Sequence, residues 1–333
     1  MMSARHRFAV VTLAATVSLV LAGCGGGGGN SSSSAAGAPS QPAATSAATP
    51  AEAPPVNIPV TQLFTGKGMP IGIYEKGFPG TTEAATSFTS ATGVQPRMLS
   101  YYSGWGQGFA TTFAAAAHAS GAVPVVQLEP TDIPLGTIAA GQSDDYLREF
   151  AQAVRAFRYP VILSFGHEMN GNWYSWGDTH AQPADFVAAW QHVVSVFRGA
   201  GAINAKWLWT VNGITDPAFN LRPWWPGQEW VDLVGIDAYY YTANDTFHHV
   251  FGPTLAAVQQ FSTAPVLIAE TAIGGNPKRE SQIHGLLAGA TTNHIFGIIW
   301  FDVAQNDGLY HQNWHLETDP AAVTAFKEAV KGS

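Results

Sequence analysis

Eight short apolar runs spread through the last 270 or so residues constrain the fold more than any other feature of the chain. They are PIGIY (70–74), RMLSYY (97–102), AVPVVQLE (122–129), PVILSF (160–165), KWLWTV (206–211), VDLVGIDAY (231–239), PVLIAE (265–270) and FGIIWFD (296–302). Runs of this length, rich in β-branched and aromatic residues, predict strands. Most are separated by stretches with apolar residues at three- and four-residue spacing: 143–157, 183–197, 246–261, 279–291 and 320–330. Phe186, Trp190, Val193, Val194 and Phe197 form one such stripe, which predicts an amphipathic helix. Asp319 before Pro320 predicts an N-cap with proline at the first helical position. Eight strands alternating with helices in a body of this size predict an α/β fold of the (β/α)8 TIM-barrel type. The competing open, doubly wound sheet would place a glycine-rich phosphate loop after the first strand. YEKGFPGTT (74–82) has glycines, but not at that spacing.

A barrel of this kind carries its active site at the C-terminal strand ends, so those ends locate the candidate chemistry. The first run ends at Tyr74-Glu75, the second at Tyr101-Tyr102 with Trp105 beyond, and the third at Glu129. The fourth leads into His167-Glu168, the fifth into Asn212, the sixth into Asp237 and Tyr239, the seventh into Glu270, and the eighth into Trp300 and Asp302. Only 11% of the chain is charged, yet carboxylates recur here at the ends of apolar runs. Unpaired charge is costly to bury, so this placement favours a site over simple packing. Two carboxylates among aromatic rings point to glycoside hydrolysis. Rings stack on the apolar face of a sugar, one carboxyl protonates the leaving oxygen and the other attacks the anomeric carbon. Glu168 and Glu270 are the best-placed pair. Glu129 reads equally as a rim residue or a ligand contact, and Asp237 reads as a structural anchor.

The remaining features bound the organisation and the partners. Net charge is −8 and the pI about 5.7, with no basic block beyond the N-terminus, which argues against nucleic acid. Arg5 and Arg7 precede an apolar run from Phe8 to Leu21 that ends in LAGC. This resembles a bacterial lipoprotein signal, which implies lipidation of Cys24, the single cysteine of the chain. The expected divisions are a signal peptide (1–23), a Gly/Ser/Ala/Pro-rich tether (24–58) and a barrel domain (59–333). The tether composition cannot bury enough apolar surface to offset its ordering entropy. The protein is thus expected in the cell envelope as a monomer, held to a membrane by its lipid anchor. No cofactor and no metal are expected: His311 and His315 stand four residues apart, but no third ligand follows.

GHEMNGNWYSWG (166–177), WPGQEWVDLVGIDAYY (225–240), PVLIAETAIGG (265–275) and IIWFD (298–302), in this order and spacing, resemble glycoside hydrolase family 26. The resemblance covers about residues 68 to 330. It implies a (β/α)8 barrel and a retaining endo-β-glycosidase, with β-mannan as the first substrate class. Mixed-linkage β-glucan, β-1,3-xylan and a bacterial exopolysaccharide are alternatives. It also implies that Glu168 is the acid/base and Glu270 the nucleophile. His167 would lie near the reacting sugar, Tyr239 would contact the nucleophile, and Trp173 and Trp176 would line the sugar-binding wall. Trp300, at the eighth strand end, is a further candidate sugar contact. Ser175 and the stretch 306–314 depart from the family pattern. Two readings compete with a hydrolase: a non-catalytic glycan-binding lipoprotein, which would normally lack one of the carboxylates, and a transglycosylase using the same residues.

Overall fold

The computed structural model describes residues 54–216, 218–304 and 312–333. The expectations for the signal peptide, Cys24, most of the tether and His311 lie outside these residues.

Each apolar run becomes a strand. In chain order they are β1 (Ile71–Tyr74), β2 (Met98–Gly104), β3 (Val123–Glu129), β4 (Val161–Phe165), β5 (Ala205–Asn212), β6 (Leu233–Asp237), β7 (Val266–Thr271) and β8 (Gly297–Phe301). Each pairs in parallel with the next, and β1 pairs with β8, closing the (β/α)8 barrel. The helices are α1 (Glu83–Thr92), α2 (Thr111–Ala119), α3 (Leu135–Ala139), α4 (Asp144–Phe157), α5 (Pro183–Gly199), α6 (Phe247–Val258), α7 (Arg279–Thr292) and α8 (Pro320–Lys331). Their spacing relative to the strands departs from strict alternation in two places. Both α3 and α4 lie between β3 and β4. Between β5 and β6 there is no α-helix among the described residues, and two short 3-10 turns, Arg222–Trp224 and Gln228–Trp230, stand there instead. Trp224 is buried against Phe186 of α5, while Trp225 packs on Trp209 and Phe261. These indoles supply the apolar cover that a helix gives elsewhere.

Alternation along the strands sorts the side chains into two environments. One set points into the lumen, where Met98, Val125, Ile162, Leu208, Leu233, Leu267, Ala269 and Ile299 form a closed apolar layer. The other set faces the helices and joins the larger core; the α5 stripe of Phe186, Trp190, Val193, Val194 and Phe197 is fully buried there. Val60, Leu63 and Phe64 pack against the lumen layer. Lys206 Nζ donates to Asn57 Oδ1 at 2.7 Å, and the Val56 N–H donates to the Arg158 carbonyl at 2.8 Å. Among the described residues, Val56 and Asn57 thus already make contacts with the barrel. One step further along β2 to β5 the lumen turns polar, with Ser100, Gln127, Ser164 and Thr210 buried. Ser164 and Thr210 are joined through their hydroxyls at 3.2 Å. The carboxylates lie beyond this layer.

Candidate active site

Glu168 leaves β4 through a sharp turn. Gly166 has φ 55° and Glu168 itself has φ 53°, the left-handed region that a side chain normally avoids. The turn is held by the Glu168 N–H, which donates to the Thr210 carbonyl of β5 at 3.0 Å. The side chain is then fixed at both oxygens. Asn212 Nδ2 donates to Oε1 at 2.8 Å and Trp173 Nε1 donates to Oε2 at 2.8 Å. Asn212 is itself clamped, because its N–H donates to Asn170 Oδ1 and its carbonyl accepts from Asn170 Nδ2, both at 2.8 Å.

Glu270, on β7, receives two phenol donors. Tyr102 of β2 donates to Oε1, and Tyr239, just past β6, donates to Oε2 at 2.6 Å. Burial raises both phenols well above their ordinary range, so both stay protonated as donors. Carboxylate oxygens of Glu168, Glu270 and Asp237 lie within 4.8 Å of one another.

The environments separate the protons of these groups. Burial, then the Glu270 charge, pushes Glu168 up to about 8. Burial raises Glu270 too, but the Tyr102 and Tyr239 hydroxyls favour its ionised form and oppose that rise. Asp237 is wholly buried, with no hydrogen-bond partner at either oxygen among the described residues, and burial followed by the charges of Glu270 and Glu168 raises it strongly. Burial and like charge thus favour the protonated forms of Glu168 and Asp237, while the phenol donors favour the negative charge on Glu270. The trio is close enough to surround a cation. However, the donors facing both oxygens of Glu168 and of Glu270 compete with one, which suits proton transfer better than metal ligation.

The other expected residues divide. Glu129 lies at the end of β3, partly exposed, and burial followed by the Glu270 charge brings it to about 7. His167 is buried beside Tyr102; its Nε2 pairs with the Tyr174 hydroxyl at 3.1 Å, and burial lowers it to about 3, so it is neutral. Trp173 is half-buried and bonds Glu168 directly, so it touches the carboxylate as well as flanking the cleft. Two of the indoles expected at the sugar face are placed elsewhere. Trp176 is 2% exposed, stacked on Tyr174 at 4.3 Å and bonded to the His167 carbonyl, so it backs the wall and presents no face to a sugar. Trp300 is fully buried, packs on Phe326 of α8 and donates to the Trp314 carbonyl at 3.0 Å, because its position on β8 faces the helices and not the lumen. Tyr102, Asn212 and Asn170 carry contacts that the sequence reading did not assign. For Tyr102 the alternation Met98, Ser100, Tyr102 was a usable signal, since it points the phenol inward at the end of β2.

The sequence model of glycosyl hydrolase family 26 matches residues 142–273, the segment that contains Glu168, Asn212, Asp237, Tyr239 and Glu270. Endoglucanase H of Acetivibrio thermocellus is 27% identical over 286 residues, covering 79% of this chain and 30% of that protein. A mannan endo-1,4-beta-mannosidase of Bacillus subtilis is 26% identical over 176 residues, covering 47% of this chain and 45% of that protein. The match thus spans less than half the length of either relative. Among solved structures, a Cellulomonas fimi endo-beta-1,4-mannanase double mutant superposes with a TM-score of 0.63 at 17% identity, over 79% of this chain and 70% of that one, and shares the fold. Residues 142–273 thus match the glycosyl hydrolase family 26 model, and the chain as a whole shares the barrel fold of the solved mannanase.

Proposed function

We propose that the protein is a retaining endo-β-glycosidase that works by double displacement. One observation carries this reading: two apposed carboxyl groups, with oxygens within 4.8 Å, are held in unlike surroundings, burial and the Glu270 charge raising Glu168 to about 8 and two phenol donors favouring the ionised form of Glu270. Retaining enzymes keep their carboxyls about 5–5.5 Å apart, whereas inverting ones need roughly 6.5–9.5 Å to admit a water. Glu270 attacks the anomeric carbon while Glu168 gives its proton to the departing glycosidic oxygen. Esterified Glu270 no longer carries a charge, so the repulsion that helps keep Glu168 protonated is gone. Glu168 then takes a proton from water, whose oxygen attacks the anomeric carbon and releases Glu270. Two inversions at one carbon give net retention. Tyr102 and Tyr239 aim the nucleophile, and Asn212 and Trp173 hold the acid.

β-Mannan is the first substrate class, in line with the relative from Bacillus subtilis. Mixed-linkage β-glucan is the second, because the relative matched over the larger share of this chain is named an endoglucanase. Viscosity loss and product release on mannan, mixed-linkage β-glucan and β-1,3-xylan separate these. We also propose that Cys24 carries a lipid anchor, which would place the enzyme in the cell envelope.

The roles are tested with an aryl glycoside whose leaving group departs without protonation. Glu168→Ala should still form the glycosyl-enzyme but accumulate it, lacking the base for the second step. Azide needs no base, so it should restore turnover and give a β-glycosyl azide. General acid/base assistance is worth about 10²–10⁴-fold, a range in which rescue is readily measured. Glu270→Ala should give the inverted α-azide, because azide enters the vacated side. The same azide product from both variants, or rescue of neither, would overturn the assignment.

A further inference from the structure

A cavity of about 250 Å³ lies between the chain that follows β6 and the first turns of α7. Its position follows from the alternation of side chains past β6. Tyr239 and Tyr240 are neighbours there, and Tyr240 is bridged to Ile273, just beyond β7. Tyr239 turns its hydroxyl to Glu270. Tyr240 faces the other way, packs near Phe251 of α6 and lines the cavity. The cavity therefore stands at the carboxylate end of the barrel but behind the strand end, outside the catalytic cleft.

The Tyr240 hydroxyl is buried and has no hydrogen-bond partner among the described residues. Burial, then the Asp245 charge, raises the phenol above its ordinary range, so it stays protonated as a donor. Leaving a buried donor unpaired is costly. Asp245 is already engaged: its Oδ2 accepts from the Tyr241 and Thr242 N–H groups at 2.8 and 2.7 Å, and its Oδ1 pairs with His249 at 2.9 Å. A second, independent feature lies on α7. Gly285 and Gly289 stand one turn apart inside the helix, where glycine is unfavourable. At Gly289 an added Cβ would stand 2.2 Å from the Phe247 ring, so close packing accounts for that glycine. At Gly285, which lines the cavity, nothing lies within 4 Å of an added Cβ. The side chain missing there leaves room in the cavity and not for a neighbour.

The lining suits a sugar ring. Half-buried Phe247 supplies an apolar wall on which the face of a sugar can pack. The exposed Asn244 amide, Lys278 ammonium and Thr246 hydroxyl supply hydrogen-bonding groups at the mouth. A water would satisfy Tyr240, but it would leave the Phe247 wall and the gap at Gly285 without a use. The volume lies below the roughly 300–1,000 Å³ of pockets for drug-sized ligands, so the cavity suits a single ring. We propose that it is a second glycan-binding site, which holds one sugar residue of a polysaccharide beside the catalytic cleft. The class of ligand rests on the glycosidase reading. A polymer held there is kept close to the cleft at a raised effective concentration, a gain of no use to a short substrate that fills the cleft alone.

The test uses the full chain carrying Glu270→Ala, so that glycan is bound but not cleaved, in affinity electrophoresis through gels containing soluble β-mannan or mixed-linkage β-glucan. Adding Gly285→Leu fills the cavity from an exposed helix position, where leucine is also the better helix former. It should weaken retardation at least threefold on the glycan that retains the chain more strongly. Tyr240→Phe removes the hydroxyl alone and should weaken retardation in the same gel. With Glu270 restored, Gly285→Leu should slow hydrolysis of that polymer while a short aryl glycoside is turned over as before, with Tm no lower. Retardation unchanged by Gly285→Leu overturns the proposal and leaves a water-filled cavity. So does the absence of retardation in both gels. An equal loss of rate on the short aryl glycoside overturns it as well, because the cavity would then support the cleft itself. Failure of the unaltered protein to hydrolyse any glycoside would count instead against the glycosidase reading, since the gels report binding without turnover.

Discussion

Glu168 occupies a left-handed backbone position with φ 53°, a conformation that costs of order 1–3 kcal/mol for a residue with a side chain. The strain is tolerated because Asn212, Trp173 and the Thr210 carbonyl over-determine where the residue points. The same contacts set its acidity. Burial raises Glu168 to about 8, and the Asn212 and Trp173 donors, which favour the ionised form, pull against that rise. The profile of kcat/KM against pH should therefore fall as pH rises through about 8, where the general acid loses its proton. Asn212→Ala removes a donor to the ionised form, so it should move that alkaline limb to higher pH; a shift to lower pH would contradict the assignment. Tyr239→Phe acts on the other carboxylate. It removes a donor that lowers Glu270, so the acidic limb should also move to higher pH. Hydrogen bonds to charged groups are worth about 1.5–3 kcal/mol, so kcat should fall roughly 10- to 100-fold. At this scale the two glutamates were legible in the sequence, since each is a charge ending an apolar run. For Tyr102 only the inward direction was legible, from the alternation along β2; its partner on β7 was not, because sequence order keeps those strands far apart.

Elements whose residues answer to one neighbouring surface are the ones the sequence shows best. The α5 stripe and the strand runs alternate against a fixed layer, so their periodicity survives in the sequence. The β5–β6 connection does not, because its indoles fill gaps between α5, β5 and Phe261 beyond α6 without regular spacing, and only packing assigns them. The loop after β4 is a third kind of element, built around glycine. A Cβ on Gly171 would stand 2.3 Å from the Trp173 ring. Gly171→Ala should therefore push that indole off Glu168. Catalysis should fall and the alkaline limb rise, with the far-UV signal unchanged; a variant with full activity would show that Trp173 is dispensable. Helix α8 gives a separate test. Asp319 caps it, accepting from the Ala321 and Ala322 N–H groups at 3.1 and 3.2 Å, as the Asp-Pro pair in the sequence predicts. It also pairs with Arg279, which is only 5% exposed. Losing a cap costs about 1 kcal/mol and stranding a buried cation costs more, discounted here because Asp319 is 35% exposed, so Asp319→Ala should lose about 2–3 kcal/mol in urea unfolding. Asp319→Ser keeps a capping oxygen and should recover part of that loss.

The described chain enters at the end of the barrel opposite the carboxylates, with Val60, Leu63 and Phe64 against the apolar lumen layer and Asn57 on Lys206. The composition of residues 25–53, almost all small or polar with Glu52 the single charge, suits a tether and offers nothing that could hold a membrane by itself. Membrane attachment would then depend on Cys24 alone. Acyl chains contribute about 0.8 kcal/mol per buried CH₂, and no compensating polybasic patch follows the cysteine in this acidic chain. A Cys24→Ala chain freed of residues 1–23 should thus fractionate as a soluble protein. It should keep the kcat and KM of the anchored form on a short soluble substrate, because Glu168 and Glu270 lie at the opposite end of the barrel from Val60, Leu63 and Phe64. On an insoluble or envelope-bound glycan it should lose rate through lost proximity, and only there. Continued sedimentation of the Cys24→Ala chain with membranes would refute the anchor. A fall in kcat on the short substrate would refute the separation of anchoring from catalysis.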